Sequence, residues 1–271
     1  MAKKQRKFTV ACVQLNSKQS ISKNLANTKK YINKACGKGA DFILTPEVSN
    51  IVSLSKNHLL ENTYLEDKDP FLSEIKLLAK KRSVWILLGS IIIKDKKNKL
   101  YNRSYLINSF GKVVSKYDKI HMFDVKLSNS ENYSESKLFQ AGTEIETVDL
   151  PWGRLGMSIC YDMRFPAMYR KMSQSGAKFF SIPSAFTETT GKKHWHALLR
   201  ARAIENFCYV FAPAQVGIHS KNRRTYGHSL IISPDGKILA EMKKGEGHIS
   251  AKIDTRLSYN LREKIPSLNS D

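Results

Sequence analysis

Cys160 has surroundings that suit a nucleophile. It follows an apolar run over residues 155–159 and precedes Tyr-Asp-Met-Arg-Phe-Pro at residues 161–166. The thiol is therefore predicted to lie where a short strand turns toward a helix. Such a turn lifts a side chain out of the sheet, and the backbone N–H groups at the start of a helix can face an anion that forms beside it. These features make Cys160 a candidate nucleophile.

Two charged residues also follow strand-like runs and could activate that thiol. Glu47 follows the run over residues 42–46, and Lys119 follows the run over residues 113–118. Loops beyond strand ends are where α/β folds assemble their sites. A free thiol is only a few per cent ionised at neutral pH, so it needs a base or a positive field. Glu47 is a candidate base, with a pKa raised by burial, and Lys119 could supply the field.

The same residues allow two other interpretations. In the first, cysteine is paired with a histidine base. The candidate histidines are His121, His194, His196, His219 and His228. In the second, the residues are structural: Glu47 caps a helix, Lys119 is solvated and Cys160 is packed in the core. Spacing alone does not choose among the three interpretations.

Length and composition predict a globular α/β protein. With 271 residues, 41% of them hydrophobic, the chain can bury roughly 70 to 75% of its unfolded surface, and a single domain over residues 1–271 is predicted. The longest apolar stretches, at residues 8–15 and 84–93, are shorter than the ~20 residues that span a bilayer. Residues 1–7 are basic, but no export signal follows them. Neither membrane association nor export is predicted.

The cysteines predict neither a disulfide scaffold nor a zinc site. The four residues Cys12, Cys36, Cys160 and Cys208 are far apart and form no C-x-x-C pair. This spacing favours a reducing compartment, and a cytoplasmic location is predicted.

The net charge of +21 raises the question of a nucleic-acid partner, because a basic surface attracts phosphates. However, 33 of the 45 basic residues are lysines, and they are scattered over predicted helix faces and turns. This distribution is typical of a solvated surface, so no nucleic-acid partner is predicted.

Hydrophobic periodicity predicts alternating strands and helices. In the first half, strands are predicted at residues 8–15, 41–45 and 84–93, helices at 22–35 and 70–81, and a hairpin at 101–117. Residues 126–136 are predicted to be irregular. In the second half, strands are predicted at residues 153–160, 177–183 and 208–214, helices from Pro166 and at 195–207, and a hairpin at 228–241. The pattern indicates an α/β domain with a mixed sheet covered by helices.

Three segments of the chain resemble the signature of the nitrilase, or carbon-nitrogen hydrolase, superfamily. They are Pro-Glu at residues 46–47, Tyr-Asp-Lys-Ile-His-Met-Phe-Asp at 117–124 and Ile-Cys-Tyr-Asp-Met-Arg-Phe-Pro at 159–166, in the family's order. Glu135 matches the second glutamate that this family places between the lysine and the cysteine. The resemblance extends over essentially the whole chain, from residues 10–15 to the turn at 234–236.

The resemblance implies both a fold and a mechanism. The fold is a four-layer α-β-β-α sandwich of the nitrilase type with mixed sheets. The implied catalytic residues are Glu47, Lys119 and Cys160, with Glu135 orienting Lys119 or the substrate. Lys119 and the backbone N–H of Tyr161 would hold the oxyanion. No metal or organic cofactor is implied.

Residues 183–205 and 215–229 are most similar to the deaminated-glutathione amidase and ω-amidase branch. This likeness implies a small 2-oxo amide that carries a carboxylate, with Arg164, Thr187 and Thr190 as candidate binding residues. The alternatives are ω-amidase activity on α-ketoglutaramate, hydrolysis of N-carbamoyl or aliphatic amides and, more distantly, a basic nucleic-acid-binding protein without catalysis. The family resemblance also implies a homodimer or higher homo-oligomer.

Overall fold

Two mixed six-stranded sheets form the centre of the protein. The computed structural model describes residues 6–128, 131–220 and 223–270. In chain order the strands are β1 (Lys7–Gln14), β2 (Phe42–Leu44), β3 (Trp85–Lys94), β4 (Leu100–Ile107), β5 (Val113–Asp118), β6 (Asp124–Lys126), β7 (Asn132–Ser134), β8 (Glu146–Leu150), β9 (Gly153–Met157), β10 (Ala177–Ser181), β11 (Tyr209–Ala212), β12 (Val216–Ser220), β13 (Arg223–Tyr226), β14 (Ser229–Ile232), β15 (Ile238–Met242) and β16 (Gly247–Asp254). The helices are α1 (Ile21–Gly37), α2 (Lys56–Asn62), α3 (Pro70–Arg82), α4 (Pro166–Gln174), α5 (Glu188–Asn206) and α6 (Arg256–Lys264).

The two sheets have corresponding topologies. The first has the order β16-β1-β2-β3-β4-β5, and the second has the order β15-β14-β11-β10-β9-β8. In each sheet three adjacent strands are parallel, β1 to β3 in the first and β9 to β11 in the second, while the other pairings are antiparallel. Residues that follow the parallel strands are therefore placed beyond carboxyl ends, where α/β sheets build their sites.

Side-chain alternation along β1 separates two layers of the core. Val10 and Cys12 lie in the core that the two sheets share, whereas Ala11 and Val13 lie in a second core with residues of α1 and α3. Successive side chains of a strand point to opposite faces, so the first sheet is packed on both sides. This accounts for its nearly continuous apolar sequence.

The second sheet is also covered on both faces. On β10, Phe179 packs edge-on against Phe8 of the first sheet, with ring centroids 5.4 Å apart. The next residue, Phe180, packs against Tyr169 of α4, with centroids 5.1 Å apart. The layers are therefore helix, sheet, sheet, helix, and the predicted α-β-β-α sandwich is confirmed.

Most predicted elements are confirmed, with differences of a few residues at their ends, but two differences affect the candidate site. The strand predicted at residues 153–160 ends at Met157, and Cys160 begins a short 3₁₀ helix, Cys160–Arg164. The helix predicted at residues 195–207 begins at Glu188, because the Thr187 side chain accepts a hydrogen bond from the N–H of Thr190 and caps it.

Other elements were not predicted. Residues 126–136 contain part of the β6–β7 hairpin and a 3₁₀ turn at Glu135–Lys137, although residues 129 and 130 lie outside the described part. Strands β8, β12, β13 and β16 and helices α2 and α6 were also missed. Among the described helices, none combines the length and apolar character needed to cross a membrane.

Candidate active site

Residues from both sheets meet in one cavity. Glu47 follows β2, Lys119 follows β5, Cys160 follows β9, and Glu135 begins the turn after β7. All four line a cavity of about 380 Å³, a volume within the range of small-molecule sites. The structure therefore brings together the four residues that the sequence indicated as a catalytic group.

The Lys119 ammonium lies between two carboxylates. Its Nζ is 2.9 Å from Glu47 Oε1 and is 2.9 and 2.8 Å from the two carboxylate oxygens of Glu135. Only 2% of the Lys119 side chain is exposed. Burial alone would lower the pKa of Lys119, but the charges of Glu135 and Glu47 outweigh it and raise that pKa above its usual range. Lys119 is therefore a fixed positive charge rather than a solvated surface lysine.

The Glu47 carboxylate has a donor on each oxygen. Oε1 accepts from Lys119 and from Asn102 Nδ2 at 3.0 Å, while Oε2 accepts from the backbone N–H of Ala185 at 2.7 Å. Burial disfavours the charge, but Lys119 and the N–H of Ala185 together hold the pKa of Glu47 below its usual range. Burial does favour a higher pKa, as expected, but these two donors outweigh it, so the expected net rise is wrong for the resting site. Glu47 is ionised and ready to accept a proton.

Cys160 is held in a left-handed backbone conformation. Its φ is 50°, and its N–H donates to the carbonyl oxygen of Pro183 at 2.9 Å. Burial and the neighbouring charge of Glu47 raise the pKa of the thiol despite the opposing effect of Lys119. Cys160 and Glu47 line the same cavity. The resting sulfur is therefore protonated, with its proton acceptor in place.

Tyr161 directly follows Cys160 in the chain. It lines the cavity, and its ring contacts Phe123 with centroids 5.2 Å apart. Within the described part of the chain, no acceptor is found for its backbone N–H. This donor lies at the start of the 3₁₀ helix, where N–H groups are left unpaired by the helix itself.

Sequence reasoning missed a buried carboxylate, Asp162, that joins the turn bearing Lys119 to the turn bearing Cys160. It accepts hydrogen bonds from the hydroxyl of Tyr117 at 2.7 Å, the N–H of Ile159 at 2.8 Å and the N–H of His121 at 3.0 Å. The ring Nδ1 of His121 lies 2.7 Å from the same carboxylate. The signal was present in the sequence, since an aspartate stands two residues after the cysteine.

Asn102 is a second residue that sequence reasoning missed. This β4 side chain is buried, and its Nδ2 lies 3.0 Å from Glu47 and 3.4 Å from Glu135. The backbone carbonyl of Asn102 accepts the N–H of Lys119 at 3.1 Å. Asn102 therefore contacts all three charged residues of the site, by side chain or by backbone.

Histidine is not placed to act as the base. Among the described residues that line the cavity, there is no histidine. The predicted candidates have partners elsewhere: Asp162 for His121, Arg164 for His194, Glu241 for both His196 and His228, and Ser17 and Thr225 for His219. The geometry therefore favours Glu47 over a Cys–His pair.

Two of the three predicted substrate-binding residues lie at the cavity. Thr187 and Thr190 line it, and their hydroxyls are hydrogen-bonded to each other at 2.7 Å. Arg164 lies outside the described lining; its guanidinium contacts His194 Nδ1 at 3.1 Å and stacks on Phe186 at 5.4 Å from the ring centroid.

A different arginine lines the cavity. Arg223 of β13 donates to the carbonyl oxygen of Ala185 at 2.8 Å and lies over the ring of Tyr133, with its Cζ 4.9 Å from the centroid. It lies in the segment 215–229 that resembles the amidase branch, but it was given no role in substrate binding. Its guanidinium still has N–H donors to offer, since arginine carries five.

Comparisons with known proteins identify the family of this chain. The chain belongs to the carbon-nitrogen hydrolase family, whose model matches residues 9–263. It is an enzyme family, and the predicted superfamily, fold and enzyme class are confirmed.

Individual relatives and solved structures are similar to this chain over nearly its whole length. Deaminated glutathione amidase from Yersinia enterocolitica is 37% identical over 264 residues, covering 96% of this chain and 91% of that protein. The crystal structure of the Caenorhabditis elegans NitFhit protein superposes with a TM-score of 0.93 at 36% identity, covering 99% of this chain and 66% of that one. The structure of Saccharomyces cerevisiae Nit3 gives 0.86 at 30% identity, covering 97% and 95%. The chain spans 60% of the curated nitrilase and fragile histidine triad fusion protein from C. elegans, which it matches at 38% identity over 96% of its own length.

Proposed function

We propose that the protein is a cysteine amidase, which hydrolyses the C–N bond of a small amide to a carboxylate and ammonia. One observation carries this proposal: a protonated thiol, an ionised glutamate and a buried ammonium share one cavity, with the glutamate hydrogen-bonded to the ammonium and its charge acting on the thiol. These are a nucleophile, a base and a source of positive charge for an oxyanion.

The first half-reaction forms a thioester on Cys160. Glu47 takes the thiol proton as the sulfur attacks the amide carbonyl carbon, and the carbonyl oxygen becomes an oxyanion. Lys119 and the N–H of Tyr161 stabilise that charge; the loss of one such donor typically costs about 3 to 4 kcal/mol in the barrier. When the oxyanion forms, it shares the positive charge of Lys119 with the Glu47 carboxylate. Lys119 then stabilises the ionised form of Glu47 less, so the proton affinity of Glu47 increases. Glu47 then protonates the leaving nitrogen, and ammonia departs.

The second half-reaction returns the enzyme to its starting state. Glu47 accepts a proton from a water molecule, which attacks the thioester carbon. The tetrahedral intermediate collapses to the carboxylate product, and the Cys160 sulfur recovers its proton from Glu47. Glu135 and Asn102 do not exchange protons in this scheme; Glu135 holds Lys119 by its two oxygens, and Asn102 holds the carboxylates of Glu47 and Glu135.

We infer that the substrate is a small 2-oxo amide with a carboxylate, of the kind hydrolysed by a deaminated glutathione amidase. The described cavity lining contains three cations, Lys119, Lys137 and Arg223, against the two carboxylates of Glu47 and Glu135, and this positive excess favours an anionic substrate. Thr187 and Thr190 add hydroxyls to the same wall. The naming of several relatives as deaminated glutathione amidase supports this substrate class.

The test is an ammonia-release assay on a panel of amides. Deaminated glutathione and α-ketoglutaramate are expected to react, with deaminated glutathione preferred. Simple aliphatic amides are the uncharged comparison, and N-carbamoyl amino acids, which would release carbon dioxide as well, are the second comparison. If the two oxo amides are inert while the carbamoyl compounds react, the substrate class is wrong, although the cysteine chemistry would remain.

Arg223 provides a test of carboxylate recognition. Arg223→Leu is expected to raise KM for the carboxylate substrate by about 10- to 100-fold, the equivalent of one charge-assisted hydrogen bond of ~1.5 to 3 kcal/mol. Turnover of an uncharged amide should change little. Arg224→Leu is the matched control, because this neighbouring guanidinium is 61% exposed and does not line the cavity. Equal effects of both variants would exclude the assignment of Arg223.

We further propose one domain over residues 1–271, a homodimer or higher homo-oligomer, and a cytoplasmic location. Pairing of β1 with β16 along eight residues supports a single unit. The family resemblance supports association, and the exposed apolar side chains Ile204 on α5, Tyr259 on α6 and Ile265 after it are available for contact. The free cysteines fit a reducing compartment. Light scattering of the purified protein would measure its molar mass in solution, and the mass of a monomer would contradict the proposed homo-oligomer.

A further inference from the structure

Two histidines and a glutamate converge on the side of α5 that faces the second sheet's edge. His196 Nε2 lies 3.0 Å from Glu241 Oε1, and His228 Nδ1 lies 2.6 Å from the same oxygen. The candidate ligand atoms of the three residues all lie within 4.8 Å of one another. None of them lines the catalytic cavity, so the chemistry proposed above does not use this cluster.

The residue types and spacing fit a transition-metal ion. Imidazole nitrogen and carboxylate oxygen are zinc ligands, with bonds of ~2.0 to 2.2 Å, so tetrahedral ligand atoms lie about 3.3 to 3.5 Å apart. The measured separations of 3.0 and 2.6 Å are about 0.3 to 0.9 Å shorter than this, because both histidine nitrogens are hydrogen-bonded to the same Glu241 oxygen. A small outward shift of the three side chains would admit an ion. Three protein ligands would leave a position for water.

The three ligands are supplied by separate, well-supported elements. His196 lies in α5, and Glu241 lies in β15, where it pairs with Leu230 of β14. The carbonyl of His228 accepts a hydrogen bond from Trp195 Nε1 at 2.7 Å, and the His228 ring stacks on Tyr226 at 4.1 Å. Such supporting contacts orient ligands before a metal arrives.

The cluster is accessible to an ion from solvent. The side chains of His196, His228 and Glu241 are 34%, 17% and 21% exposed. This degree of exposure allows entry, while the low exposure of His228 and Glu241 limits competition from water. The cysteine spacing could not indicate this cluster, because it contains no cysteine.

We propose that His196, His228 and Glu241 form a binding site for Zn²⁺ or a similar divalent transition-metal ion, separate from the catalytic cavity. The ion would join α5, the start of β14 and β15. Because it binds the folded chain, it would stabilise the fold in proportion to its occupancy.

The test uses the purified full chain with Zn²⁺ and Co²⁺ as probes. Competition with a chromophoric chelator is expected to show one Zn²⁺ per chain, and added Zn²⁺ should raise the thermal midpoint. His196→Gln and, separately, Glu241→Gln should weaken Zn²⁺ binding by more than about 100-fold, beyond the ~10- to 100-fold typical of supporting contacts. Two different variants keep the test valid if one of them folds poorly.

His248→Gln is the matched control, because it makes the same chemical change on β16 of the other sheet. It should leave the affinity unchanged. The Co²⁺ complex should show nitrogen and oxygen ligation without thiolate-to-metal charge transfer. Absence of binding, or binding that survives in both cluster variants but is lost in Cys160→Ala, would overturn the proposal.

Discussion

The carboxylate of Asp162 contacts His121 twice, at the backbone N–H and at ring Nδ1, at 3.0 and 2.7 Å. Asp162 lies two residues after Cys160, and His121 lies two residues after Lys119. The contact therefore fixes the turn that bears the nucleophile against the turn that bears the ammonium. The ring of His121 also stacks on the ring of Phe165, with centroids 3.5 Å apart, which adds a second contact between these two segments.

Asp162→Asn should separate the two turns without removing any reacting group. The new amide would present N–H groups to N–H donors, so buried donors would lose their acceptor at a cost of about 1 to 3 kcal/mol each. We expect kcat to fall by about 100-fold with little change in KM, because small misplacements of reacting groups have effects of this size. Steady-state kinetics and urea unfolding would measure both effects.

The control for this variant is Asp149→Asn, at a side chain that is 58% exposed on β8. It should behave as the wild type in both measurements. A variant at Asp162 that lowers stability while kcat is unchanged would show that the residue has no positioning role.

Loss of the nucleophile or the base should stop turnover while the fold persists. Cys160→Ala should give no ammonia release, and Glu47→Gln should lower kcat by about 10²- to 10⁴-fold, the usual contribution of a general base. Glu47→Gln should remain folded, since Lys119 keeps its pairing with Glu135. Circular dichroism and the ammonia assay would test this. Ammonia release by pure Cys160→Ala protein would refute the mechanism.

A third carboxylate beside Lys119 should disturb the charge balance of the site. Asn102→Asp is nearly isosteric, but it would place a negative charge against Glu47 and Glu135 and raise the pKa of one of them. We expect kcat/KM to fall by about 10²- to 10³-fold, comparable to the loss of an oxyanion donor. Asn108→Asp, the same change at the turn between β4 and β5, should have no effect on kcat/KM.

His219 should make the fold sensitive to mild acid. Burial lowers its pKa to about 4, and its ring contacts the Ser17 carbonyl oxygen and the Thr225 hydroxyl. Between pH 6.5 and 4 the unfolded chain binds a proton that the folded chain excludes, so the free energy of unfolding falls as the pH falls. From pH 7.5 to 5 this amounts to about 2 kcal/mol.

Urea unfolding of the wild type and of His219→Gln at both pH values would isolate this effect. The variant lacks the titrating ring, so its stability should fall by about 2 kcal/mol less over the same interval. The carboxylates and other histidines are common to both chains and cancel in the comparison. Parallel pH dependence in the two proteins would show that His219 does not cause the loss.

Local sequence signals predicted the parallel centre of the fold well. Strands such as β1 and β3 are covered on both faces, so their sequences are apolar almost throughout and easy to recognise. Edge strand β16 was missed because its burial is partial and lysine, histidine and serine interrupt its apolar residues. Strands β6 and β7 have three residues each, too few to establish a period.

The site was less predictable from generic chemistry than from the family signature. Strand ends indicated Glu47, Lys119 and Cys160 as candidates, but they could not exclude five histidines, whose partners depend on tertiary contacts. Arg164 was chosen for its proximity to the cysteine in sequence, yet the short 3₁₀ helix turns it toward His194. Arg223 reaches the cavity from β13, more than sixty positions beyond the cysteine. Arg223 lies in the segment 215–229 that resembles the amidase branch, but its place in the cavity depends on how β13 packs, which the local sequence does not show.

The pairing of β1 with β16 joins Lys7 to Asp254 and Gln14 to Gly247, partners more than 200 positions apart. Closing so long a loop before any compensating contact forms is slow, and contacts of this separation are associated with slow folding. Until β16 has been synthesised, one edge of β1 has no partner and can pair with another chain. Because Glu47 follows β2, the immediate neighbour of β1, we expect catalytic competence to arise late in folding, after the last strand has docked.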